Sequence, residues 1–244
     1  MNKYLVIINI RTFNVVAIYM GATFAALYFD LRFSYDLTLI SLAIIFPLVF
    51  TIRAAFRRRD KALEYLSRMK AGLMTVYYCF QNSGKITNEQ KNEIKDVLVE
   101  VPKTVNGYLL QSGNEERVTA ILKQAFDFIQ LHRENLGGGF SLKVFRFMKD
   151  VHQGIENLKA VNKHRTPISL RAYCLAFIYI FPFIYIPSFL HKIDTDTPIY
   201  ILYVLMAIKG FILISLYNVQ DHMEHPFDQN GLDDIRLKDF ELDL

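Results

Sequence analysis

Four long stretches with no charge or a single one dominate this chain. Eighteen uncharged residues separate Arg11 from Asp30, sixteen separate Asp36 from Arg53, and nineteen separate Arg171 from His191. A fourth stretch, between Asp196 and Asp221, holds 24 residues with one charge, Lys209. A helix that crosses a bilayer needs about 20 apolar residues, and a soluble helix of that length keeps a polar face. The four stretches therefore predict four membrane-spanning helices. The sixteen-residue stretch is short, but Arg53 can snorkel and lengthen it. The runs pair into two helical hairpins, because 30–36 and 191–197 are short links.

Residues 53–165 form a polar middle segment with 20 Lys/Arg against 12 Asp/Glu, a net of +8. Arg53, Arg57, Arg58, Arg59 and Lys61 follow the second run, and Lys159, Lys163, Arg165 and Arg171 precede or open the third. The positive-inside rule places this segment and both termini in the cytoplasm. From Asp221 onward there are 8 acids and 2 bases. This tail reads either as one more solvated surface or as a strand of chain that docks on the basic segment. The expected division is 1–56 (N-terminal segment and first hairpin), 57–169 (cytoplasmic helical domain), 170–220 (second hairpin) and 221–244 (acidic tail). A cleavable signal is not expected at the N-terminus, and the location expected is a cell (inner) membrane, multi-pass.

The middle segment has helical rhythm. Ile94, Val97, Leu98, Val101 and Val105 recur at i, i+3, i+4 spacing, as do Val118, Ile121, Leu122, Ala125, Phe128 and Ile129. Val144, Met148, Val151, Ile155 and Leu158 step by 4-3-4-3, a seam that suits packing within the chain or between chains. Thr87 with Gln90, and Ser112 with Glu115, fit capping boxes. Gly137-Gly138-Gly139 separates two helices. Strand alternation and repeats are absent. The fold class is thus an all-α membrane protein, with four transmembrane helices in two hairpins and a cytoplasmic helical bundle.

Hydrophobic residues make up 52% of the chain. So much apolar surface excludes intrinsic disorder. Cys79 and Cys174 are the only cysteines, too few for a disulfide scaffold, and read as reduced thiols. No G-x-x-x-x-G-K-[ST], G-x-S-x-G or H-E-x-x-H is present, so nothing points to an enzyme. His222 and His225 share a helix face and could hold a metal with Asp221 or Glu224; the alternative is a polar helix end leaving the membrane. The basic cluster at 57–59 suits lipid head groups rather than nucleic acid. Lys209, near the middle of the fourth run, is a functional candidate by position; the alternative is a lysine that faces the protein interior or snorkels.

Three motifs carry a family resemblance. Arg165-Thr166-Pro167-Ile168-Ser169 resembles the R-T-P-I-P stretch of bacterial bestrophins, and Phe181-Pro182-Phe183 resembles their L-P-F. Met223-Glu224-His225-Pro226-Phe227, followed by Asp233-Asp234, resembles the I-E-N-P-F-G-x-D-x-N-D-L signature after the last membrane helix. Ile52-Arg53 resembles, more weakly, the F-R that ends the second helix. The chain departs from the family in lacking R-W-W, with Glu64 the nearest acid, and in having Asp228 where glycine follows Pro-Phe.

The resemblance implies a homopentameric channel for chloride or other small anions, with the second helix lining an apolar neck. Ile44, Leu48 and Ile52 step i, i+4, i+8 and match the family register if Ile52-Arg53 replaces Phe-Arg. A second register, anchored on Pro47, places Phe46 and Phe50 at the neck. Arg53 would then form a ring of charge at its inner end. Animal members hold calcium beside Pro-Phe; the residues available here are His225, Asn230, Asp233 and Asp234. No other cofactor is implied. The partners expected are further copies of the chain, lipids and small ions, and no nucleic acid. Two competing functions fit the same topology: a membrane-anchored helical interaction protein without a pore, and a small-solute transporter built around Lys209 and the Pro182 and Pro187 breaks.

Overall fold

The computed structural model describes residues 7–111, 113–193, 197–230 and 233–244. Helices account for all regular structure among them: α1 (Ile10–Tyr28), α2 (Leu37–Gln81), α3 (Asn88–Leu109), α4 (Glu115–Leu131), α5 (Arg133–Leu136), α6 (Gly138–Lys163), α7 (Ile168–Lys192) and α8 (Ile199–Met223), then a 3₁₀ turn at Leu237–Phe240. α1, α2 and α8 are each long and apolar enough to cross a membrane, as is the stretch Gly138–Lys192, whose apolar part is α7. The chain divides into two compact units. The first comprises residues up to Arg57 and Arg165–Glu224; the second comprises Arg58–His164 and His225–Leu244.

In the first unit α1 packs on α8 and α7, and α7 and α8 pack on each other. The start of α1 is fixed by a reciprocal cap. The Asn9 side chain accepts from the Thr12 amide, and the Thr12 hydroxyl oxygen accepts from the Asn9 amide. Asn218 of α8, fully buried, ties this cap down by donating to the Ile7 carbonyl (2.8 Å) and the Thr12 hydroxyl (3.0 Å). Such internal partners are needed where no water is available to the backbone or to buried amides. Pro47 inside α2 poses the same problem, because it has no N–H to offer the Ala43 carbonyl one turn earlier. The Tyr173 hydroxyl of α7 donates to that carbonyl at 3.3 Å.

The second unit is built on two seams. Ala62, Leu66, Met69, Leu73, Val76 and Phe80 of α2 step by 4-3-4-3-4 and are fully buried. They share one core with Val144, Met148, Val151, Ile155 and Leu158 of α6, so the heptad-like seam packs within the chain. Two glycines let these helices approach. A Cβ on Gly72 would lie 2.5 Å from Val151 Cγ2, and one on Gly154 would lie 3.2 Å from the Tyr65 carbonyl. Gly72→Leu should therefore destabilise this unit by about 1–3 kcal/mol, as overpacking does, although leucine is the better helix former by about 1 kcal/mol. Equilibrium denaturation of the detergent-solubilised protein, followed by circular dichroism, measures the change.

α3 begins as its sequence predicts: Thr87 accepts from the Gln90 amide, and the Gln90 side chain accepts from the Thr87 amide. α4 does not. The expected Ser112 lies outside the described residues, and the cap is Asn114, which accepts from the Glu116 amide at 3.1 Å. Gly137 breaks the chain between α5 and α6 with a φ of 79°. That left-handed value is natural to glycine.

The acidic tail is part of the second unit's interior. Phe227, Ile235, Leu237 and Leu242 are buried in the core. The basic residues reach it through its backbone: Arg59 Nε donates to the Asp233 carbonyl (2.6 Å) and Lys70 Nζ to the Asp239 carbonyl (2.7 Å). Buried Asn106 donates to the Leu237 carbonyl (3.0 Å) and to Glu241 (3.2 Å). Docking thus uses main-chain acceptors and apolar anchors more than paired charges. Both cysteines are free, Cys79 half-buried and Cys174 buried, as suits structural thiols.

Candidate functional site on the second membrane helix

The apolar half of α2 has two distinct faces. Ile44 and Leu48 are each 2% exposed and sit in a cluster with Val15 and Tyr19 of α1, Cys174, Ile178 and Phe181 of α7, and Ile214 and Tyr217 of α8. Ile52 is half-buried against the same cluster. This stripe belongs to the protomer's own interior, where a neck-lining role would leave its neighbours without packing partners. The other face is uncovered. Phe46 is 54% and Phe50 59% exposed, and their ring centroids stack 6.4 Å apart. Leu42 and Val49 are exposed beside them.

One turn beyond Phe50 the uncovered face becomes cationic. Phe50, Arg53, Ala54 and Arg57 line an open recess of about 400 Å³. Arg53 and Arg57 are exposed and, among the described residues, neither engages in an ion pair or hydrogen bond. The neighbouring arginines differ. Arg58 donates to the Val161 and His164 carbonyls, and Arg59 to that of Asp233. The face therefore presents an aromatic pair followed by two uncompensated guanidinium groups.

The signature residues serve as structural anchors. Glu224, at the end of α8, is fully buried and accepts from Arg171 Nη1 at 3.2 Å and from Gln220 at 3.4 Å. Arg171, in the first turn of α7, also pairs with Asp221, which in turn accepts from Arg11 Nη1 of α1 at 3.0 Å. Three helix ends are thus joined by one ionic network. Sequence reasoning missed it, although α7 and α8 run antiparallel and so bring a base at one start level with an acid at the other's end. Pro167 is the residue immediately before α7, Thr166 precedes it half-buried, and Pro182 is buried within α7. The Pro226 carbonyl accepts from the Ile235 amide (2.9 Å), which folds the tail back beside Phe227.

The residues proposed for calcium do not converge. Among the described residues no group of three or more His, Cys, Asp or Glu side chains is arranged to hold a metal ion. The Asn230 backbone N–H donates to the Asp228 carboxylate, and Arg59 donates to the Asp233 main-chain carbonyl. His225 and Asp234 make contacts of their own. Nor, among the described residues, do His222 and His225 join a third such side chain in an arrangement that would hold a metal ion. Lys209 finds aromatic partners: its Nζ lies 3.7 Å from the Tyr185 ring centroid and 5.1 Å from that of Phe189, both on α7. Such cation–π contact is worth about 2 kcal/mol when desolvated.

These features define a multi-pass, all-α membrane protein with a helical unit built from the segments between and after its membrane helices. No protein-family model matches the chain, and no curated protein matches it in sequence. Its fold is that of the bacterial bestrophin homologues. One crystal structure of a bestrophin homologue from Klebsiella pneumoniae, carrying a single tyrosine-to-alanine mutation, superposes with a TM-score of 0.79 at 15% identity, covering 94% of this chain and 93% of that one. A point variant of a bestrophin homologue from the same organism gives 0.82 at 14% identity, covering 94% and 92%. A third structure of a homologue from that organism gives 0.78 at 15%, covering 94% and 93%.

Proposed function

We propose that the chain is a bestrophin-like ion channel, a homopentamer that conducts chloride or other small anions along an axis lined by α2. The observation that supports this most is the uncovered face of α2, which carries Phe46 and Phe50 and then Arg53 while its opposite face is spent on the protomer's own packing. The neck follows the Pro47-anchored register. Phe46 and Phe50 form the constriction, where a narrow apolar tube opposes wetting, and Arg53 gives its inner end a ring of positive charge that favours anions over cations. The net positive charge of residues 53–165 raises the anion concentration on its side of the membrane. By the positive-inside rule that side, with both termini, is cytoplasmic, and the membrane is the cell membrane.

The test is current across planar bilayers containing the purified protein under a salt gradient. The expected result is unitary current whose reversal potential moves toward the chloride equilibrium potential. Arg53→Gln should shift it back toward zero. A silent, monomeric protein would overturn the proposal in favour of a non-conducting anchor.

A further inference from the structure

Four arginines lie within seven residues where α2 leaves its apolar stretch, and their fates differ. Arg58 and Arg59 are consumed by main-chain carbonyls. Arg53 and Arg57 are not, and they line an open recess together with Phe50 and Ala54. We infer that this recess is a binding site for a polyvalent phosphate, either a soluble oligophosphate or a phosphate-rich lipid head group.

The chemistry follows from spacing. Residues four apart lie on one helix face, about 6 Å apart along the axis at roughly 1.5 Å per residue. Two guanidinium groups so placed can each take a different phosphoryl group of one ligand, with paired N–H donors directed at paired oxygens. A chloride offers no second group, and one orthophosphate must share its oxygens between the two, whereas an oligophosphate gives each guanidinium a phosphoryl group of its own. The recess holds about 400 Å³. The small side chain of Ala54 keeps it open. No carboxylate lines the recess among the described residues. A polyvalent phosphate held there would sit at the inner mouth of the neck and obstruct anion flow. That consequence rests on the channel proposed above, whereas the recess is complete within one chain.

Binding is therefore measured separately from current. Tripolyphosphate titrated calorimetrically into the purified protein in neutral detergent should bind at least tenfold more tightly than orthophosphate. Arg53→Gln with Arg57→Gln should weaken tripolyphosphate at least tenfold. Ala54→Leu, which keeps both charges and fills the recess, should weaken it comparably. Absence of tripolyphosphate binding to the wild type, or binding unchanged in both variants, would overturn the site. Repeating the titration in nanodiscs separates the sources. Loss of binding when cardiolipin replaces part of the phosphatidylcholine identifies a lipid head group as occupant, and unchanged binding identifies the soluble anion. In bilayers, tripolyphosphate added on the Arg57 side should block current. Binding without any basal current would reject the channel and leave the site standing.

Discussion

Replacing Phe46 and Phe50 together by alanine should raise unitary conductance several-fold. Each ring is more than half exposed in the protomer, and the pair stacks along the face that carries Arg53. In the proposed channel, removing both rings would widen the constriction and let water persist in it, lowering the barrier that a dry segment imposes on a hydrated ion. Because neither ring is part of the protomer's interior, folding and assembly should be little changed. The control is Ile44→Ala with Leu48→Ala. Those side chains are buried among the packed helices of the first unit. Truncation there leaves cavities that cost about 2–5 kcal/mol each. That variant should lose stability without gaining conductance. Single-channel recording paired with thermal unfolding separates the two. Wild-type conductance in the Phe46, Phe50 variant would eliminate this face as the neck.

Glu224→Ala should lower the protein's stability by about 3 kcal/mol, the lower end of the cost of breaking a buried ion pair. Glu224 has no exposed side-chain surface, and its removal leaves the Arg171 guanidinium with one carboxylate partner, Asp221, beside the Tyr217 hydroxyl. Asp221 is already shared with Arg11. Arg171→Ala should cost at least as much, because it strands the Glu224 carboxylate with only Gln220 as donor. The double variant should cost less than the two singles combined, since neither charge is then left alone. Unfolding by denaturing detergent gives all three values. Additive losses would mean that the pair contributes nothing as a pair.

The four membrane helices were legible because three stretches of sixteen to nineteen uncharged residues, and one of 24 with a single charge, have few other physical meanings. The helical unit was legible too, and the step pattern of α6 named its buried face before the partner was known. Which face of α2 is buried was not. Ile44 and Leu48 are four apart, and so are Phe46 and Phe50, and both stripes are apolar. Periodicity marks a face only when the opposite one is polar, and a helix in lipid offers no such contrast. The Arg171–Glu224 pair was hidden for another reason. Fifty-three positions separate the partners in sequence, and only antiparallel packing of α7 and α8 makes them neighbours. Nor did sequence reveal that α2 is one helix of 45 residues, since the charges after Arg53 resemble a domain boundary while leaving helix propensity intact.

The burial of Leu237 and Leu242 among side chains of α2, α3 and α6 sets an order on biosynthesis. A ribosome finishes those helices, then threads α7 and α8 into the bilayer, and only afterwards delivers the residues that seal the helical unit. Until then its greasy slots stand open to water and to neighbouring nascent chains. A stop codon after α8 would spare every membrane span yet leave that unit permanently unsealed.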